Sequence, residues 1–415
     1  MKTLMHTILI ALFCLPAAFA ADWPQWLGPS RNGVSSEVVE PWTESPQVLW
    51  RTPVGNGFSV PVVASGMVYV HSAVAGENAE QVTAYDLATG NERWKQPYSR
   101  GSYQSQLGVG PRATPTVVDG RLVVFGITGE LVCFDAATGE KHWQVNPYRE
   151  HEVATPGFGV CSSPLIVHDR IIIPIGGAGM AVAAYDIATG KLAWKALDEP
   201  ASSASPITWQ RGAGEQATLD VVVQTTLRIV GMNPENGEVR WEHPLVFQPS
   251  GVSPTPLVAG DRLICTTQDT GTLAVGSPSS QAVPGQPAWW DQELSSYFST
   301  GTIGAAGDVF LVTNVLMPLP RTDLVCLDAA TGKPHWKQNG LGYFHIGLIA
   351  TGSNRLLILT DGGKLILAQV DRDGFRELCQ AKVCDGTFVN PVLSDGRLIV
   401  RDGKELVCLQ LEVSK

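Results

Sequence analysis

The chain has 415 residues, a formal charge of −10 at neutral pH and 44% hydrophobic residues, with 43 glycines and 28 prolines. The acidic balance, with no long Lys/Arg run, argues against a nucleic-acid groove, which needs cations clustered over a phosphate backbone. The Gly and Pro content suits many short strands joined by turns, and no segment carries a sustained amphipathic helical period.

Residues 1–20, "MKTLMHTILIALFCLPAAFA", join a short positive start, an apolar stretch and the small pair Ala18 and Ala20. That pattern predicts a secretory signal cut before Ala21, hence a periplasmic or secreted protein. The apolar run is too short for a membrane span, and Leu12 and Phe13 are too large for a lipid-attachment box at Cys14. Residues 21–45 read as a strap. Its "DWPQWLGPSRNGVSSE" (22–37) is too aromatic for a flexible tail, and it either covers one end of a central channel with Trp23 and Trp26 or lies along an outer edge.

Residues 46–53, "PQVLWRTP", offer one strand with Trp50 and none before it. A repeat then begins: "AYDLATGNERW" (84–94), "CFDAATGEKHW" (133–143), "AYDIATGKLAW" (184–194), "GMNPENGEVRW" (231–241) and "CLDAATGKPHW" (326–336). The order Asp135, Thr138, Gly139, Lys141 resembles an aspartyl nucleophile with phosphate-binding neighbours. One active site does not need five copies, and the lysine comes and goes. The physical reading is a hairpin: Asp86, Asp135, Asp186, Asn233 or Asp328 accepts hydrogen bonds from the turn's own backbone, Gly closes the corner, and the next strand carries a Trp.

The marks Trp50, Trp94, Trp143, Trp194, Trp241, Trp290 and Trp336 fall 44 to 51 residues apart, a period that suits four short strands with loops. The fifth unit, "SPSSQAVPGQPAWWDQE", has lost the turn and keeps Gly285 and the pair Trp289-Trp290. In the seventh, "AQVDRDGFREL" (368–378), Gly374 keeps its place while Val370 and Leu378 replace Asp and Trp. The last stretch stops after the strand of Cys408, so the orphan strand at 46–53 completes it. The expectation is an all-β, eight-bladed β-propeller of four-stranded blades, one domain over residues 46–415, closed by its N-terminal strand.

The pattern Ala-x-Asp-x-x-x-Gly-x-x-x-Trp resembles the tryptophan-docking repeat of the quinoprotein-type eight-bladed propellers, over nearly all of residues 46–411. The resemblance implies that Trp94, Trp143, Trp194, Trp241 and Trp336 staple neighbouring blades, with Trp50 doing so at the closure. Cys133, Cys326 and Cys408 stand where Ala84 and Ala184 stand elsewhere and read as small fillers. Cys379 and Cys384 are near enough in sequence for a local bridge, which stays open.

No metal motif or nucleophile elbow is present, and "REHE" (149–152) is an isolated polar loop. The loops that enter each inner strand ring a channel mouth and are rich in polar and aromatic residues. Beside the reading of plain solvated connections stands a ligand funnel of Arg112, His151, Tyr343, His345 and Asn390. The chain resembles the outer-membrane-assembly propeller lipoproteins, which implies a monomeric, non-catalytic scaffold without cofactor that binds a protein or small ligand on its loop face. The alternative is a dehydrogenase with pyrroloquinoline quinone and calcium in the channel, for which the loops offer Arg112 and Arg149 as cations and no acidic cluster beyond Glu150, Glu152 and Asp385. The adjacent cysteine pair of the large quinoprotein alcohol dehydrogenases is absent here.

Overall fold

A computed structural model describes residues 22–414 apart from 201, 213, 215–216, 246–251, 269 and 277–286. The expected signal and Gly285 lie outside the described residues. The described residues form eight four-stranded antiparallel sheets and one additional two-stranded pairing. Blades 1 to 7 run from inner to outer strand in chain order, blade 1 from Val62–Ala64 to Glu92–Ser99 and blade 7 from Ile346–Thr351 to Gly374–Lys382. Blade 8 takes Val392–Ser394, Arg397–Arg401 and Glu405–Gln410, then borrows Gln47–Pro53 as its outer strand, with Trp50 opposite Cys408.

Middle strands such as Arg121–Phe125 and Leu131–Asp135 are apolar on both faces because a neighbouring blade covers each side. Outer strands such as Glu92–Ser99 alternate instead, with one face in water. Each blade is a meander, so the ring has two faces. The loops entering inner strands and the hairpins between second and third strands form the loop face; the remaining hairpins form the turn face.

The repeat turn has one geometry. Asp186 Oδ1 accepts from the Thr189 N–H at 2.8 Å and its hydroxyl at 2.7 Å. Those bonds, the hydroxyl first, hold the carboxyl below its usual range. Asp86, Asp135 and Asp328 repeat the arrangement with Thr89, Thr138 and Thr331. The Trp143 indole donates to Ile187 O of the next blade's turn at 3.0 Å. Trp50, Trp94 and Trp194 reach Leu87 O, Ala136 O and Pro234 O in the same way, and Trp336 reaches Asp371 O.

Three blades depart from the expected pattern. In blade 5 the indole that reaches across is Trp289, bonded to Ala329 O at 2.9 Å, and not Trp290. Ala274 faces Trp289 in the register that pairs Ala184 with Trp194 elsewhere. The Trp241 N–H does not reach the next blade's turn but goes back to Asp220 Oδ2 of its own blade at 2.6 Å, while the ring packs against a cluster shared by blades 4 and 5. The cause is Gly231 at the repeat's small position, where a Cβ would lie 2.0 Å from the indole. In blade 7 the turn belongs to Asp371, whose Oδ1 accepts from the N–H groups of Asp373 and Gly374. Asp371 pairs directly with Gly374, so this hairpin is tighter than the others.

Cys379 and Cys384 are both free, as are the other cysteines among the described residues, so the local bridge does not form. The strap crosses the ring and does not follow its rim. Trp23 exchanges backbone bonds of 2.8 and 2.9 Å with Val63 of blade 1. Arg31 donates to Ser163 O and Pro164 O before blade 3, and the Trp26 N–H to Thr255 Oγ1 before blade 5 at 2.8 Å. Asn32 O and Gly33 O accept from Thr302 of blade 6, Gly33 O accepts from Ala350 N of blade 7, and Glu37 takes the Asp395 and Gly396 N–H groups of blade 8. Val38–Val39 then pair with Val413–Ser414. This is the channel cover; the strap along the outer edge is ruled out.

Candidate functional site: the loop face

At the loop-face end of the channel the inner strands open on short polar residues, commonly followed by proline: Thr114-Pro115, Ser163-Pro164, Ser205-Pro206, Thr255-Pro256 and Asn390-Pro391. These residues bond to one another across blades. Thr114 N–H donates to Ser163 Oγ, Ser163 N–H to Ser205 Oγ and Thr255 N–H to Thr300 Oγ1, each at 2.9 Å. Backbone groups that the sheets leave unpaired are thereby satisfied. At the closure Arg401 does the same work, donating to Ser59 O at 2.7 Å, His71 O at 2.9 Å and Gly55 O at 3.0 Å. Burial pushes its guanidinium down to about 10.

Four of the five residues expected to converge divide between two places. His345 and Asn390 are buried beside each other, and Tyr343 lies on the same loop as His345. Arg112 belongs to the loops of blades 2 and 3, where it donates to Phe158 O and Leu107 O and lies 5.8 Å from the Phe58 ring. His151 closes the short helix Pro147–Glu150 and joins neither group. Among the described residues no hydrogen bond or ring contact joins Arg112 or His151 to the group of His345, Asn390 and Tyr343, so the five do not form one cluster.

The blade 6–8 group is aromatic. His345 stacks on Phe298 at 5.3 Å and 12°, Phe388 meets Phe298 edge-on at 5.9 Å, and Ser299 Oγ lies 2.7 Å from His345 Nδ1. Burial pushes the imidazole down to about 4 against the opposing pull of Asp361. The Asp361 carboxylate accepts from the N–H groups of Tyr343, Phe344 and His345, which fixes this loop. Asn314 ties on the neighbouring hairpin: Oδ1 accepts from Tyr297 N–H at 2.9 Å and Nδ2 donates to Phe344 O at 3.0 Å.

Around this base an apolar surface faces water. Met317 and Leu319 are each 78% exposed and Tyr343 66%, with Tyr297, Phe344 and Phe388 also exposed. Single exposed apolar side chains are ordinary; a neighbouring set on one face marks an interaction surface. Sequence reasoning missed Phe298, Ser299, Phe388, Asp361, Met317 and Leu319. The available signal was "MPLP" (317–320), an apolar run between prolines in a hairpin that solvation alone would make polar.

The family described as "Outer membrane protein assembly factor BamB" matches residues 34–103 and 78–338. Among solved structures, a europium-containing methanol dehydrogenase is similar at 16% identity and a TM-score of 0.68, over 94% of this chain and 89% of that one. BamB from Moraxella catarrhalis is similar at 16% identity and 0.62, over 88% and 99%. The quinohemoprotein alcohol dehydrogenase from Comamonas testosteroni gives 15% identity and 0.66, over 94% and 80%. At these identities the likeness is one of fold. No curated protein matches the sequence.

Proposed function

Since the chain belongs to the family of the outer membrane protein assembly factor BamB, we propose that it is an exported, non-catalytic propeller that holds a protein partner against its loop face. The observation that carries this reading is the exposed set Met317, Leu319, Tyr343, Phe344 and Phe388, mounted on a base fixed by Asp361 and Asn314. A rigid, apolar, partly aromatic surface gains affinity by desolvation with little ordering cost. Among the described residues no helix is long and apolar enough to cross a membrane.

The quinone dehydrogenase reading has weaker support in the side chains. A tricarboxylate quinone needs converging cations and calcium needs clustered oxygen ligands. Arg112 is engaged by carbonyls, and Asp385 pairs with Lys404 at 2.9 Å. Among the described residues the acid and imidazole groups with metal-like spacing are Asp308, Asp328 and His335. They lie on the turn face, where Arg372 Nε holds both Asp308 oxygens at 3.0 Å. These residues do not fit the pair of cofactors.

The test places a photo-crosslinking residue at Met317 in exported protein, with Lys191 on the turn face as control. The expected result is one discrete crosslinked protein at Met317, none at Lys191, and loss of that species in a Leu319→Ser, Tyr343→Ser variant that melts as the parent does. Equal crosslinking at both positions, or turnover of alcohols by protein supplied with the quinone and calcium, overturns the proposal.

A further inference from the structure

A cleft of about 410 Å³ opens on the loop face of blade 2, apart from the apolar surface of blades 6–8. It lies between the loop that leaves blade 1, the hairpin of Thr128 and Glu130, and the loop 146–157 that contains the "REHE" stretch. Its size falls within the range of small-molecule sites. Arg112 bonds Tyr103 Oη at 3.4 Å and also holds Phe158 O, which ties the loop that leaves blade 1 to the loop that enters blade 3.

Three features of its lining specify a ligand. Glu130 is buried and saturated: Oε1 accepts from Asn146 Nδ2 at 2.9 Å and Gly101 N–H at 3.2 Å, and Oε2 from the Thr128 hydroxyl. It therefore shapes the wall without asking for a cation. Tyr148 is 3% exposed and packed on Phe125, lines the cleft, and its hydroxyl makes no hydrogen bond among the described residues. A hydroxyl left open to solvent at a cleft wall is a donor and acceptor offered to a guest. Arg149 is exposed on the same lining, and its guanidinium makes no hydrogen bond or ion pair among the described residues. Tyr103 adds an aromatic ring held by its own bond to Gly157 O at 3.2 Å.

We infer that this cleft binds a small carboxylate that also carries hydroxyl groups, of the uronic-acid class. One guanidinium on the lining offers charge for a single carboxylate, and its planar fork matches a carboxylate edge. The Tyr148 phenol and the hydroxyls of Ser102 and Thr155 take up ring hydroxyls, while Tyr103 gives the sugar an apolar wall.

The experiment titrates the full-length exported protein with galacturonate, galactose and acetate by calorimetry. Galacturonate is expected to bind, with galactose and acetate each weaker by about tenfold or more, the worth of one charge-assisted pair or of several neutral hydrogen bonds. Arg149→Met should weaken galacturonate by about tenfold and leave galactose unchanged. Tyr148→Phe should weaken both sugars, and unchanged melting of either variant separates loss of the site from loss of the fold. Absence of binding by galacturonate at millimolar concentration overturns the inference. So does acetate binding as well as galacturonate, or indifference of galacturonate to Arg149→Met.

Discussion

Trp143 and Gly190, on neighbouring blades, leave no room between them for a side chain: a Cβ on Gly190 would sit 2.6 Å from the indole, and the residue holds a φ of +68°. Gly120 has a similar φ of +72° with nothing within 4 Å of its added Cβ. Gly120→Ala should cost about 1–2 kcal/mol from backbone strain alone. Gly190→Ala should cost clearly more, because the indole must also leave its place. Trp143→Ala should lose less than the about 3–5 kcal/mol of a fully buried aromatic, because Trp143 is half-buried. Chemical denaturation compares the three, and equal losses for the two glycine variants would count against the docking contact.

Trp241 and Gly231 give the opposite geometry, with the indole folded over its own strand. Gly231→Ala should destabilise strongly in the parent. It should be nearly neutral in a Trp241→Ala background, where the small position then holds what Ala84 and Ala184 hold elsewhere. A double-mutant cycle reads this coupling, expected at about 1–3 kcal/mol. Additive effects would mean that the two residues do not share the space.

His345 predicts a pH dependence with a definite sign. Burial lowers its folded value to about 4 from an ordinary 6.5, so below 6.5 the unfolded chain binds the proton that the native state refuses. Stability from this group is complete above 6.5 and falls as the pH drops toward 4. His345→Gln should flatten that part of the melting-temperature profile. An imidazole resonance of His345 titrating near 6.5 in the folded protein would contradict it.

The two halves of the N-terminal segment can be removed separately. Deleting residues 22–45 takes away the strap but keeps Gln47–Pro53 on blade 8, and should give a monomer with a lowered melting temperature. Deleting 22–52 also bares the edge of Glu405–Gln410, and should aggregate, since an unpaired strand edge templates association. Size-exclusion chromatography with melting separates these outcomes. A well-behaved monomer from the longer deletion would contradict the closure.

Much of the ring was legible because each turn carries its own local chemistry. Asp135, Thr138, Gly139 and Trp143 repeat at fixed spacing because carboxylate, hydroxyl and left-handed glycine all act within a few residues. Where local chemistry changed, legibility failed: Trp289 and Trp290 are adjacent and only strand register distinguishes them, and Asp371 moved the seventh turn by one place. Trp241 bore the mark in sequence, but the bare α-carbon of Gly231 and the buried Asp220 decide its direction. The loop face was harder still. His345 and Asn390 were found as polar residues on entering loops, whereas Phe298 and Phe388 reach them only through the ring's three-dimensional order.

The pairing of Gln47–Pro53 with Glu405–Gln410 also orders events in time. A chain made or exported from its N-terminus presents residues 47–53 early, and these must wait for the partner strand some 350 residues later, as the ion pair of Arg51 with Glu405 illustrates. Blades 1 to 7 are sequence-local and can assemble as they emerge; the final closure is a long-range encounter, the kind that slows folding. Until it occurs, the growing ring has two loose ends and one three-stranded sheet. That interval is when a protease or a holding chaperone would find this protein most accessible, and it lasts until the last blade is delivered.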